Sequence, residues 1–310
     1  MKVGVIGCGF VGSTAAFAMI LTNAVNEVVL IDVNMNLASA QAEDILHATP
    51  FTTPVKVFAG NYEDLDGADV VVLACGVGQK PGETRLQLLE RNVKIFENVV
   101  PKVLRHAQQT ILLVASNPVD IITNVTAKIA GMPPQRIIGS GTILDTARFR
   151  ALLGDSLNIS PRSVHAYVIG EHGDSEVFVW SSGMVGGIPL AEFAKQVGRP
   201  VTQEVMDRID ERVRRAAYRI IEGKGATYYG IGAGISRIVS AIRYDEQVVL
   251  TVSAPVTDMD DFRGISFSLP RIVGGSGIAS TFRPVLSDKE YKAIGKSIEV
   301  LRESAKQIGY

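Results

Sequence analysis

Over the first 140 residues, short apolar runs alternate with helix-length amphipathic runs, which predicts an α/β domain built on a doubly wound parallel sheet covered by helices. A glycine-rich turn directly after the first run, and an acid closing the second, belong to the same pattern. Beyond residue 140 the order changes to long helices with strands gathered between them, which predicts an α+β second domain. The boundary falls near Gly139-Ser140-Gly141, giving domains 1–140 and 141–310 with a cleft between them.

Residues 3–6, 27–31, 55–58, 68–74 and 110–115 are short, apolar and bounded by turn residues, as strands buried on both faces require. Between them, 11–22, 36–48, 85–106 and 119–130 have helical length and periodicity, and 136–139 is a last strand. In the second half, 144–157, 203–222 and 230–243 read as helices, 247–252, 265–269 and 271–273 as strands, and 288–307 as a closing helix. No internal repeat or flexible linker interrupts them.

A chain of 310 residues that is 46% hydrophobic can bury a large core. Its 31 basic and 32 acidic residues leave a formal charge of −1, so the balance argues against nucleic acid or an anionic membrane and for a small-molecule partner. Cys8 and Cys75 have neither metal-ligand nor disulfide-framework spacing and read as reduced thiols, with no metal site expected. The apolar opening 3–21 is interrupted by glycines at 4, 7, 9 and 12 and precedes a strand, unlike a signal peptide. The expected compartment is the cytoplasm.

Gly7-Cys8-Gly9-Phe10-Val11-Gly12 follows a strand and opens a helix. Glycines there allow a tight turn, close approach of backbone to a pyrophosphate, and packing of helix on strand, while the helix N-terminus receives the anion. Asp32 closes the second strand twenty residues after Gly12, where a carboxylate accepts the ribose hydroxyls of NAD and repels the 2′-phosphate of NADP. The sheet is therefore expected to be of Rossmann type with NAD as cofactor. Asn117-Pro118 ends the run 111–115 at the carboxyl edge of the sheet, where ligands bind, although a plain turn would use the same pair.

Gly170-Glu171-His172-Gly173-Asp174-Ser175 sets a histidine between glycines. Histidine titrates near neutrality and can give and retake a proton during catalysis. Asp145 and Arg148 lie one helical turn apart, so an acid able to orient His172 and a guanidinium able to grip a carboxylate share one face. On spacing alone, a surface ion pair with an unrelated histidine fits equally well.

Gln79-Lys80-Pro81-Gly82-Glu83-Thr84-Arg85, Asn117-Pro118-Val119-Asp120, Gly139-Ser140-Gly141-Thr142-Ile143-Leu144-Asp145-Thr146-Ala147-Arg148 and the His172 segment occur in the order found in the L-lactate/malate dehydrogenase superfamily. The chain resembles that family over essentially its whole length. The resemblance implies His172 as proton donor and acceptor, Asp145 as its partner, Arg148 as carboxylate clamp, and Arg85 as a mobile arginine that polarises the substrate carbonyl. It further implies Asn117 beside the nicotinamide or substrate carbonyl, Thr227 beside the substrate and Ile231 against the nicotinamide.

The glycines and proline of 76–85 suit a loop that closes as a lid. Malate dehydrogenases of the superfamily carry arginine where this chain has Gln79, and a neutral amide would leave the second carboxylate of oxaloacetate unpaired. The resemblance therefore implies pyruvate and L-lactate as substrates, against the alternatives of a malate or other 2-hydroxyacid dehydrogenase or a non-catalytic NAD-binding sensor. A pure binder has no need of Arg85, Asp145, Arg148 and His172 together. Arg150 and His165 match the residues that bind fructose 1,6-bisphosphate across a two-fold axis in activated bacterial members of the family, which implies an allosteric homotetramer.

Overall fold

A computed structural model describes residues 1–78, 82–257 and 259–310 of the chain. Six strands, β1 (Lys2–Ile6), β2 (Glu27–Ile31), β3 (Lys56–Ala59), β4 (Val70–Leu73), β5 (Ile111–Val114) and β6 (Ile137–Gly139), pair in parallel in the order β6-β5-β4-β1-β2-β3. Every residue of β4 and β5 is buried, which is why these strands are unbroken runs of Val, Ile and Leu. The chain runs outward from β1 to β3 and then returns to β4 on the other side of β1. That reversal opens a crevice at the carboxyl ends of β1 and β4.

Helices α1 (Phe10–Leu21), α2 (Met35–Ala48), α3 (Arg85–His106) and α4 (Val119–Ala130) connect these strands. The second half comprises α5 (Ile143–Leu157), β7 (Val164–Ile169), β8 (Val177–Val185), β9 (Ile188–Pro189), α6 (Leu190–Gln196), α7 (Gln203–Arg214), α8 (Ala216–Lys224), α9 (Tyr229–Arg243), β10 (Val248–Pro255), β11 (Ser266–Gly274), β12 (Gly277–Thr281) and α10 (Asp288–Gln307). No helix of the described residues is long and apolar enough to cross a membrane.

Three features differ from the sequence expectation. The helix expected over 203–222 is interrupted at Arg215, where α7, which buries Ile209 and Val213, gives way to α8, which buries no residue. The two strands expected at 265–269 and 271–273 are one, since Pro270 sits opposite Thr251 and offers its carbonyl to the Phe282 N–H at 2.9 Å, and only its missing donor is lost. The strands β10, β11 and β12 also continue the first sheet: Ser253 pairs antiparallel with Gly139, which gives nine strands across the expected boundary.

A separate three-stranded sheet, β7-β8-β9, was not expected from periodicity. It covers α5 over a core of Phe149, Leu153, Val164, Val168 and Phe178. Thr142 and Thr146 pin the first turn of α5 to β7, the Thr142 hydroxyl donating to the Val168 carbonyl at 2.6 Å and the Thr146 hydroxyl accepting from the Val168 N–H at 2.9 Å. At the end of β7, Gly170 exchanges backbone hydrogen bonds of 2.9 and 3.0 Å with Ser268 of β11. The segment after β7 is thereby tied to the large sheet.

Candidate active site

The dinucleotide loop is shaped by what a side chain would strike. Gly7 has φ +97°, and a Cβ there would lie 2.7 Å from the backbone of Ala74; a Cβ on Gly12 would lie 1.9 Å from the Gly7 carbonyl oxygen. Gly9, the N-cap of α1, has no atom within 4 Å of its Cβ position. Two glycines thus close the turn, and the third leaves open space over a helix N-terminus, the form a pyrophosphate requires.

Asp32 directly follows β2. Its Oδ2 accepts the Cys8 N–H at 2.7 Å and its Oδ1 accepts the Asn34 N–H at 2.9 Å. The backbone orients both oxygens and leaves lone pairs for a ribose diol, so the residues present fit NAD. Phe10 is 67% exposed and its ring stacks on Tyr228, with centroids 5.1 Å apart. Val11 and Ile231 lie half-buried against one apolar cluster where α1 meets α9. Cys8 and Cys75 are free thiols, each pushed up to about 12 by burial and, further, by the Asp32 carboxylate.

Across the crevice, Asp145 in the first turn of α5 is 2% exposed. Its Oδ2 lies 2.5 Å from His172 Nδ1, and its Oδ1 accepts from Arg148 Nη1 at 2.9 Å. One buried acid therefore holds an imidazole and a guanidinium side by side. Burial alone would raise its pKa, but His172 and then Arg148 override burial and hold the carboxyl below the usual range. Burial likewise disfavours the imidazolium of His172, yet Asp145, followed by Asp120 and Glu176, pushes it up to about 9. With Nδ1 directed at Asp145, Nε2 is the nitrogen left for a substrate.

The histidine segment is braced from behind. The Glu171 N–H donates to Ser297 Oγ of α10 at 2.9 Å, and the Ser175 N–H donates to Glu171 Oε2 at 3.2 Å. The His172 N–H donates to Asp120 Oδ2 at 2.6 Å.

The structure thus joins His172, Asp145 and Arg148 directly. Asn117 is exposed at a cis peptide bond with Pro118, three residues before Asp120. Arg85 is exposed as the first residue of α3, behind the Thr84 cap, and Thr227 is half-buried between α8 and α9. No hydrogen bond or ion pair among the described residues links Arg85, Asn117 or Thr227 to His172, and Gln79 lies outside those residues. Arg150 donates from Nε to the Ala166 carbonyl at 2.9 Å and lies over the Tyr167 ring at 5.1 Å, while His165 is exposed on the same strand.

Two buried acids carry no role in the sequence reading. Asp120 closes the Asn117-Pro118-Val119-Asp120 motif, and an acid in a helix's first turn ordinarily reads as a surface complement to the dipole. Glu176, in the turn before β8, is 4% exposed with Oε1 unpartnered, and burial, with Asp145 adding, pushes it up to about 9. Neither burial has a local sequence signal.

Residues 1–139 match the model of the lactate/malate dehydrogenase NAD binding domain, and residues 142–309 match that of the lactate/malate dehydrogenase alpha/beta C-terminal domain. The chain belongs to the lactate/malate dehydrogenase family. Within it, the chain is 56% identical to the L-lactate dehydrogenase of Thermus aquaticus over 310 residues, covering 100% of both. Identity to the L-lactate dehydrogenase of Deinococcus radiodurans is 49% over 309 residues, again covering 100% of both. Among solved structures, the minor L-lactate dehydrogenase of Enterococcus mundtii, crystallised in a ligands-bound form, superposes with a TM-score of 0.95 at 41% identity, covering 98% of this chain and 97% of that one. As in the rest of the lactate/malate dehydrogenase family, the N-terminal half is an NAD-binding domain.

Proposed function

We propose that the chain is a cytoplasmic, NAD-dependent L-lactate dehydrogenase that interconverts pyruvate and L-lactate. The observation that carries this reading is Asp145, whose two oxygens hold His172 and Arg148 so that a proton donor and an anion clamp have fixed relative positions.

The remaining N–H groups of Arg148 grip the substrate carboxylate at two points. His172, charged through its contact with Asp145, presents Nε2–H to the ketone oxygen and gives up that proton as the carbonyl carbon is reduced; lactate oxidation runs the proton the other way. NADH, when bound by Gly7, Gly9, Phe10, Val11, Gly12 and Asp32, supplies the hydride. Arg85 swings onto the ketone oxygen as its loop closes and excludes water, strengthening the polarisation. Asn117 and Thr227 flank the substrate, and Ile231 packs on the nicotinamide side.

Gln79 gives the closed pocket no charge to pair a second carboxylate, so pyruvate is preferred over oxaloacetate. Following NADH oxidation with both substrates tests this reading. Wild type turns over pyruvate with clear preference, and Gln79→Arg moves the ratio toward oxaloacetate by ~10²-fold or more, the scale of an ion pair in a dry site. Equal turnover of both substrates by wild type, or an unmoved ratio in the variant, contradicts it. On the same reading the chain is a homotetramer, with fructose 1,6-bisphosphate held between Arg150 and His165 of facing subunits.

A further inference from the structure

We propose that Asp120 is a positioning residue, which locks the His172 segment to the cofactor half of the molecule and holds the imidazole in its charged form. The inference rests on the proton-transfer role proposed for His172.

Asp120 is set in the first turn of α4, a position that normally faces water, yet it is 2% exposed. Its Oδ2 accepts the His172 N–H from 52 residues away in sequence. His172 stands between Gly170, at φ +89°, and Gly173, so the segment has permissive backbone on both sides. The Asp120 carboxylate is the acceptor that fixes the peptide between them. Because α4 begins at the Asn117-Pro118 turn, the same rigid helix start carries a residue of the cofactor side and the anchor of the catalytic histidine.

The second argument is electrostatic. Oδ1 of Asp120 is buried without a hydrogen-bond partner, and Ser253 of β10 lies close enough to stabilise the charge without reaching hydrogen-bond geometry. A half-satisfied buried carboxylate is costly unless a cation compensates it. His172 is the cation facing it, whereas Glu171 opposes ionisation. Burial raises Asp120 to about 6, so it is an anion at neutral pH. Around His172 itself, Asp145 approaches from α5, Asp120 from α4 and Glu176 from the turn before β8, with Arg148 pairing Asp145 and Arg214 lying near Glu176. Burial pushes the Glu176 carboxyl up to about 9, so its support for the imidazolium ranks behind those of Asp145 and Asp120. Asp145 at the ring and Asp120 at the backbone are the two acids hydrogen-bonded to His172, and both favour the imidazolium.

Two substitutions separate the two services. Asp120→Asn keeps an oxygen to accept the N–H but removes the charge, and Asp120→Ala removes both. In Asp120→Asn the alkaline limb of kcat/KM for pyruvate should move down by about one pH unit, the scale of one nearby charge, with turnover at low pH kept within a few-fold. In Asp120→Ala, kcat at about pH 6 should fall by ~10²-fold, as for a displaced reacting group, with NADH affinity and melting temperature near wild type. The ring proton signal of His172, followed by NMR in wild type and Asp120→Asn, reads the same shift without turnover. A coincident titration in the two proteins, or wild-type kcat in Asp120→Ala, overturns the proposal. If the protein does not reduce pyruvate at all, the functional reading fails on its own, and the NMR titration still decides this one.

Discussion

At His172 two effects oppose, and the stronger one determines which direction of reaction the resting enzyme is prepared for. Removing an imidazolium from water disfavours it, whereas a carboxylate 2.5 Å from Nδ1 in a poorly solvated cleft favours it. The carboxylates win, since the ring ends at about 9 instead of 6.5. On the proton-transfer role proposed for His172, pyruvate reduction consumes the charged form. Its kcat/KM should therefore be level at neutral pH and decline as pH rises through about 9, whereas lactate oxidation, which needs the neutral ring, should climb over the same interval. The sign for stability is the same: a raised folded-state value contributes stability that is complete below the unfolded value and is lost as pH rises toward about 9. His172→Gln should lower turnover by ~10²-fold or more and abolish the alkaline limb, with NADH binding intact by fluorescence titration. A variant that kept both turnover and limb would assign the proton to another group.

At the scale of elements, the dinucleotide loop separates packing from ligand approach. A Cβ at Gly12 meets the Gly7 carbonyl oxygen at 1.9 Å, backbone that cannot yield cheaply, whereas a Cβ at Gly9 meets nothing within 4 Å. Gly12→Ala should lower the melting temperature by several degrees and weaken NADH binding, whereas Gly9→Ala should leave the melting temperature in place and weaken only NADH, by about tenfold or more. Calorimetric melting and NADH titration of both variants check this; a Gly9→Ala protein with full affinity would mean that the open face is not the cofactor's. These glycines were legible because a strand, a turn and a helix are contiguous in sequence, and so was the alternation of Val-rich runs with amphipathic helices. The sheet β7-β8-β9 was not: β7 reads Val-His-Ala-Tyr-Val-Ile and pairs only with β8, across a register shift, while the far side of β8 pairs with the two residues of β9. Continuity of β11 through Pro270 likewise depends on whether a neighbouring strand needs the donor that Pro270 lacks. Asp145 and Asp120 occupy equivalent helical first turns, and only tertiary contact shows that one meets the ring and the other the backbone of the same histidine.

At the scale of the whole molecule, α5 directs two arginines to opposite sides. Arg148 lies beside Asp145 in the cleft, and Arg150, two residues and about 200° further round the helix, turns outward to Ala166 and Tyr167 of β7. Alternation along β7 brings His165 to the outer surface while Val164 and Ala166 point into the core. A ligand that engages this basic edge from two subunits would bear on the same helix that carries Arg148, the proposed carboxylate clamp, so its binding energy can favour the arrangement in which Arg148 is correctly set. Burial lowers the pKa of the Arg150 guanidinium, with the Tyr167 side chain opposing, so a phosphate there would meet a cation that gains from a partner. We therefore expect fructose 1,6-bisphosphate to lower the apparent KM for pyruvate in wild type and to shift sedimentation toward tetramer, with neither change in Arg150→Gln. An effector response equal in the two proteins, or absent from wild type, would separate α5 and β7 from any regulatory role and leave Arg150 as a residue that only holds strand to helix.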